Sequence, residues 1–206
     1  MYIKVKRLGD IILSLIGLIL LSPILLLIVA AIKLESKGPV LFKQKRVGKG
    51  KSHFYILKFR TMRIDTPKDT PTHLLKNPEQ YITKVGAFLR KSSLDELPQI
   101  INILVGHMSI IGPRPALWNQ YDLIEKRDKY GANDVLPGLT GWAQINGRDE
   151  LPEEVKAKFD GEYVKRLGIT MDVKCFFGTI VSVVKSEGVV EGGTGNVGNQ
   201  KAASFK

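Results

Sequence analysis

The sequence predicts a mixed α+β fold. An N-terminal re-entrant membrane helix comes first, then one compact domain of short helices around a small β-hairpin or sheet, with amphipathic helices at the membrane surface. Three observations predict it. Residues 11–32 carry no charge. Aromatic and β-branched stretches flank a basic Gly/Lys turn at residues 47–52. Beyond them, apolar residues recur at helical spacing in short segments punctuated by Gly and Pro.

The uncharged run, IILSLIGLILLSPILLLIVAAI, lies between Asp10 and Lys33. At 1.5 Å per residue it makes about 33 Å of helix, enough for a hydrocarbon core of about 30 Å. Ser22-Pro23 falls at its middle, where proline lacks an N–H and disfavours helical geometry in the residue before it. Lys4, Lys6 and Arg7 precede the run; Lys37, Lys43, Lys45 and Arg46 follow it. Basic flanks favour the cytoplasmic side, and a straight span can place only one of them there. A helix that enters, breaks at Ser22-Pro23 and returns to the same face places both, so re-entry is preferred to a span. A cleaved signal peptide fits poorly, because the run exceeds the usual ~7–15-residue apolar stretch and no A-x-A site ends it. The chain then divides into an anchor (1–36), a domain (37–190) and a Gly/Asn/Ser-rich tail (191–206) expected to be flexible.

Among the 206 residues, 31 Lys and Arg oppose 20 Asp and Glu, a net charge of +11. That balance calls for an anionic partner such as lipid headgroups or phosphorylated substrates. Nucleic acid is not expected, for there is no zinc spacing, RNP-like aromatic motif or heptad basic region. The lone Cys175 excludes an internal disulfide and fits a reducing compartment. His53, His73 and His107 are too scattered for a zinc site. The domain is therefore placed on the cytoplasmic face.

After the anchor, residues 40–42 read as a short strand and 53–59 as its partner across the basic turn. The GKS at 50–52 is not a P-loop, since the first glycine of that motif would fall at Lys45. Residues 65–79 lack periodicity and read as a loop. Val85, Phe88 and Leu89 mark a short helix ending near Arg90. Residues 94–104 are apolar on one face, 112–115 form an extended turn, and 116–129 a mixed-charge helix. Residues 137–148 are Gly-rich with few charges. Pro152 opens a helix with a stripe of Val155, Phe159, Tyr163 and Leu167. Residues 173–184 are apolar enough to lie on a membrane surface.

Asp95 and Glu96 are the sharpest chemical candidates. Pro98 fits a first helical turn, which places Asp95 near a helix N-terminus, where backbone N–H groups favour anions. A carboxylate there can attack a phosphate; alternatively, Ser93 and Glu96 form a capping box that needs no catalysis. Lys58, Arg60, Arg90, Arg114 and Arg148 form a second group, each either a solvated charge or a phosphate ligand. Arg114 stands between two prolines, which stiffen its backbone and lower the entropic cost of presenting a guanidinium. Asp172 is a helix N-cap, a partner for an active-site cation, or a metal contact. Trp142 is assigned to the core.

These blocks carry a resemblance. Ser22-Pro23 in an apolar helix, KFRTM at 58–62, RKSSLDELPQ at 90–99, GHMSIIGPRP at 106–115, PGLTGWAQINGR at 137–148 and Asp172 in MDVK occur in the order found in the monotopic phosphoglycosyl transferases, the bacterial sugar transferase family. The resemblance implies transfer of a phospho-sugar from a UDP-sugar to polyprenyl (undecaprenyl) phosphate with release of UMP, the first membrane step of a bacterial glycoconjugate pathway. It implies Asp95 as nucleophile of a covalent intermediate, and Mg²⁺ held by Glu96 and Asp95. Arg114, Arg90 and Lys58 would bind phosphate, and Arg148 would lie near the nucleotide. His107 departs from the family pattern, where an acidic residue is expected. A membrane-attached UDP-sugar diphosphatase and a non-catalytic polybasic membrane module are the competing readings.

Overall fold

The computed structural model describes residues 1–66, 78–147 and 151–184. Most of the loop expected at 65–79, the nucleotide residue Arg148 and the tail at 191–206 lie outside the described residues.

Helix α1 (Tyr2–Glu35) is 34 residues long, about 51 Å at 1.5 Å per residue. Leu13, Ile19, Leu20, Leu26 and Leu27 are all exposed along it, and its most apolar stretch, of mean hydropathy 3.0, is only 11% buried. So long an apolar surface is unfavourable in water and is compatible with a membrane anchor. Ser22 and Pro23 lie inside α1, and helical structure continues through them. Pro23 has no N–H for the carbonyl of Ile19, four residues earlier. Ser22 Oγ donates to that same carbonyl at 2.8 Å. The serine thus supplies the hydrogen bond that the proline withholds.

Both ends of α1 are fastened to the same domain. Near its start, Lys6, Arg7 and Asp10 bond to residues 103–110 and 172. Near its end, Ile28 and Ile32 share a core cluster with Phe59 and Leu89. Buried Arg60 donates to the carbonyls of Ser36 and Lys37, which ties off the last turn. Arg60, grouped by sequence with the phosphate ligands, is thus a structural clasp.

Strands β1 (Leu41–Val47) and β2 (His53–Phe59) pair antiparallel, with Leu41 opposite Phe59 and Val47 opposite His53. β1 runs five residues past the expected end at residue 42. The polar run 43–46 hid it: Lys45 sets its ammonium over the Trp118 ring and Arg46 donates to the Pro115 carbonyl, so these cations find partners within the fold. Helix α2 (Lys84–Lys91), capped by Thr83, follows. Gly86 lets α2 approach the strand exit, since a Cβ there would stand 2.0 Å from the Thr61 carbonyl oxygen.

A 3-10 turn (Leu94–Glu96) precedes α3 (Gln99–Val105). Strand β3 (Ser109–Ile111), helix α4 (Tyr121–Asp128), strand β4 (Gly138–Thr140) and helix α5 (Trp142–Ile145) come next. β3 and β4 pair in parallel across the α4 crossover, a small sheet that three-residue strands concealed. α4 is shorter than the expected 116–129 helix because Ala116 and Leu117 are buried in extended chain, the Ala116 carbonyl accepting from Val47 N–H.

Helix α6 (Glu153–Lys165) begins after Pro152 as expected. Its buried face is Ala157, Asp160, Gly161 and Tyr163, while Val155 and Phe159 are only half-buried. An ion pair between Arg127 and Asp160 and the close approach of Tyr130 to Gly161 make that face, and apolar periodicity sees neither. Helix α7 (Ile169–Val184) buries Met171 and Cys175 and exposes Val173, Phe176, Phe177 and Ile180.

Candidate active site

The site begins with a strained turn. Ser92 closes α2 by donating to the Phe88 carbonyl. Ser93 then adopts a left-handed backbone, φ +56, a conformation that costs a non-glycine residue of order 1 kcal/mol and often marks function. The alternative, a capping box, is absent: the Ser93 side chain caps nothing, and Glu96 is engaged elsewhere. Pro98 is the N-cap of α3 rather than part of its first turn. Leu94 and Leu97 pack on the Ile28, Ile32, Phe59 and Leu89 cluster. Held by those two leucines, the turn presents Asp95 and Glu96 to a set of cations.

Glu96 is held twice. Arg114 Nη2 lies 2.5 Å from Oε1 and Nη1 3.3 Å from Oε2, a fork on a carboxylate. Lys58 Nζ donates to the same Oε1 at 2.7 Å and stands 3.9 Å from Asp95 Oδ2. Burial alone would push the Glu96 carboxyl up, but Arg114 and Lys58 together hold it well below the usual carboxylate range. Glu96 is therefore ionised throughout the physiological range.

Asp95 has the opposite balance. Burial raises its pKa above the ordinary value, Lys58 opposes that, and the neighbouring Glu96 charge adds to the rise; Arg90 and Arg114 act to lower it. A partly desolvated carboxylate without a tight ion pair is better suited to nucleophilic attack than its neighbour. Paired carboxylates with pKa values pushed apart mark sites where acids have separate roles.

The cations come from three elements. Lys58 is the penultimate residue of β2, one before Phe59, which anchors the strand end to α1. Arg90 comes from the last turn of α2, with Nε donating to Thr61 Oγ1 at 2.9 Å. Arg114 follows β3 in the Gly-Pro-Arg-Pro turn.

The fold therefore gathers Asp95, Glu96, Lys58 and Arg114, with the Arg90 charge felt at Asp95. It does not gather Asp172. That carboxylate accepts from Tyr2, Lys6 and Tyr163, and its cation belongs to the anchor helix. His107 stacks at a tilt on Phe54, centroids 5.5 Å apart. Trp142 is half-buried, packed beside a core cluster, and donates through Nε1 to Glu162. Sequence reading missed Thr61, Arg7, Asp10 and Tyr163 as supports of the site. Of these only Asp10 left a signal, an acid at the mouth of an apolar run.

An apolar helix fastened at both ends to a domain that clusters carboxylates with cations fits the class of membrane-associated enzymes acting on anions. The chain belongs to the bacterial sugar transferase family, whose model matches residues 1–186. It is 44% identical over 184 residues to the UDP-glucose:undecaprenyl-phosphate glucose-1-phosphate transferase of Escherichia coli (strain K12), covering 85% of this chain and 39% of that one. The protein of that name from Xanthomonas campestris pv. campestris is 40% identical over 190 residues, covering 89% of this chain and 39% of the relative. The uncharacterized sugar transferase EpsL of Bacillus subtilis (strain 168) is 39% identical over 184 residues, 89% of each chain. The chain thus spans 39% of the length of both glucose-1-phosphate transferases and most of EpsL.

Proposed function

We propose that this protein transfers a phospho-sugar from a UDP-sugar to a polyprenyl phosphate at the cytoplasmic face of a membrane, releasing UMP. The observation that carries the reading is the contrast within the acid pair: Glu96 clasped by Lys58 and Arg114, Asp95 beside it without a tight partner. UDP-glucose is the first donor to test and undecaprenyl phosphate the first acceptor, because relatives at 40–44% identity carry those substrates in their names.

In this mechanism an Asp95 carboxylate oxygen attacks the β-phosphorus of the UDP-sugar. The bond to the oxygen bridging the two phosphorus atoms breaks, and its electron pair leaves with UMP. The acyl phosphate formed on Asp95 is then attacked by a phosphate oxygen of the acceptor, which returns the free carboxylate and gives polyprenyl diphosphate-sugar. Arg114 and Lys58, already arranged around two carboxylate oxygens, bind the phosphoryl oxygens and offset the charge gathered there. Arg90 lowers the pKa of Asp95 and keeps the nucleophile available.

No group of three or more His, Cys, Asp or Glu side chains gathers as a metal cage among the described residues. That fits Mg²⁺, which is commonly bound by one or two carboxylates together with substrate phosphates. Glu96 and Asp95 would hold it, and when bound it would neutralise charge on the diphosphate.

The anchor supports a membrane reading in which the chain enters and leaves by one face. Both ends of α1 bond to the same domain, and the apolar face of α7 would rest on the surface beside it. Re-entry at Ser22-Pro23 places the acids at headgroup depth, where a lipid-borne phosphate and a soluble nucleotide can meet.

The test is UMP release from a panel of UDP-sugars with Mg²⁺, with and without undecaprenyl phosphate, for wild type and Asp95→Asn. Acceptor-dependent release that is lost in the variant supports the transferase. Release without acceptor makes it a diphosphatase, and release that survives in Asp95→Asn removes the proposed nucleophile.

A further inference from the structure

Asp10 is an acid on an apolar anchor helix, and it is 4% exposed. Anchoring does not call for it, since a carboxylate beside a membrane segment is costly unless paired, and any aliphatic side chain would anchor better. Its partners lie in the domain. Ser109 Oγ donates to Oδ2 at 2.7 Å and the Ile110 N–H to Oδ1 at 3.1 Å. Both residues belong to β3.

β3 pairs with β4 through Ser109 and Ile111, so the intervening Ile110 N–H points to the opposite edge, where a third strand would stand. Asp10 occupies that edge. Three residues beyond the end of β3 comes Arg114, the fork on Glu96.

Two further ties run from the same stretch of α1. Arg7 donates through both Nη atoms to the carbonyls of Ile103 and Leu104 at the C-terminal end of α3, the helix whose other end follows Asp95 and Glu96. Lys6 and Tyr2 bond to Asp172, whose other oxygen accepts from Tyr163; that hydroxyl also lies 3.0 Å from the Ile111 carbonyl. The first ten residues of the anchor thus hold α3, which follows the acids, and β3, which precedes their arginine.

We infer that Asp10 is a positioning residue for Arg114, through which the anchor helix fixes β3 and hence the direction from which the guanidinium meets the substrate phosphate. The inference rests on the proposed donor reaction for its kinetic arm but not for its structural one.

The experiment uses the full chain in lipid nanodiscs. Asp10→Asn keeps the shape and one acceptor while removing the charge; Asp10→Ala removes both acceptors. Hydrogen exchange is followed at residues 109–116 and, as a reference, in the β1–β2 hairpin. KM and kcat for UDP-glucose are measured for Asp10→Asn alone and in an Arg114→Ala background. Loss of a charged hydrogen bond predicts about 10-fold faster exchange at 109–116 with the hairpin unchanged, and about a 10-fold rise in KM. In the Arg114→Ala background the further rise in KM disappears, because the two residues act as one unit. Exchange that is unaltered, or faster everywhere alike, overturns the inference; so does a KM effect that multiplies with Arg114→Ala. Should the wild type turn over no UDP-sugar, the proposed function fails and the exchange at 109–116 still decides the role of Asp10.

Discussion

Arg114 holds Glu96 by both arms of its guanidinium, 2.5 Å and 3.3 Å from the two carboxylate oxygens. Lys58 shares the nearer oxygen. A planar fork that fits two carboxylate oxygens also fits two phosphoryl oxygens. In the free protein Glu96 therefore keeps arranged the cations that, in the proposed reaction, would bind the substrate phosphate. This preorganisation makes the angle of Arg114 matter as much as its charge.

Arg114→Lys keeps the charge and loses the fork. We expect a rise in KM for the UDP-sugar of about 10-fold, with Arg114→Ala worse by a similar factor, as befits the loss of one and then a second charge-assisted bond. Steady-state kinetics at saturating acceptor checks this. Equal effects of Lys and Ala would show that the fork geometry is unimportant.

The pH profile should show an acid limb set by Asp95. Attack needs the ionised carboxylate, and burial lifts its pKa above the ordinary value, so the rate falls as pH drops through that raised value. Lys58 is the strongest influence pulling it back; Lys58→Met should move the acid limb to higher pH, and Arg90→Met should move it less in the same direction. The stability sign is the reverse of a salt-bridged acid. A raised folded pKa favours folding below the unfolded pKa, and that contribution is lost as pH rises through the folded one. Asp95→Asn should therefore raise Tm at neutral pH, with the gain vanishing in acid.

Ser22 answers for Pro23. Without its hydroxyl the Ile19 carbonyl loses the Ser22 Oγ bond in an apolar setting, a loss of about 1–3 kcal/mol. Ser22→Ala should lower the stability of the membrane-inserted protein by that order. Replacing Pro23 as well restores an N–H to the same carbonyl, so Ser22→Ala with Pro23→Ala should recover most of the loss. Thermal unfolding in nanodiscs would register both.

The Arg127–Asp160 pair lies apart from the site, with both side chains buried and their atoms 2.6 Å apart. Arg127→Ala strands a buried acid and should cost about 3–5 kcal/mol at neutral pH. Burial already raises the Asp160 pKa, and removal of Arg127 raises it further. The defect should shrink as pH falls and Asp160 takes up a proton. A pH-independent loss would mean that packing, not charge, dominates there.

The anchor, the hairpin and the acid pair were legible because each rests on local chemistry. An uncharged run needs no tertiary context, β2 is rich in aromatic and β-branched residues, and Asp95-Glu96 interrupts an apolar pattern. Lys58 and Arg114 could be nominated as cations by their settings, but their meeting on Glu96 depends on β2, β3 and the turn after α2 converging. What stayed hidden depends on long-range partners. The parallel β3–β4 pair is three residues a side, too short for periodicity to register. Asp172 reads as a helix cap until Tyr2 and Lys6, some 170 positions away, are seen to reach it. Asp10 looked like the edge of the anchor, and its carboxylate also bonds to the edge of β3.

The most direct test of the account is the intact mass of the protein after incubation with UDP-glucose and Mg²⁺ in the absence of acceptor. The account predicts an adduct of one phospho-sugar, released by hydroxylamine or by added undecaprenyl phosphate, and absent from Asp95→Asn. UMP formed with no adduct on the wild type, or an adduct that persists in Asp95→Asn, would contradict it.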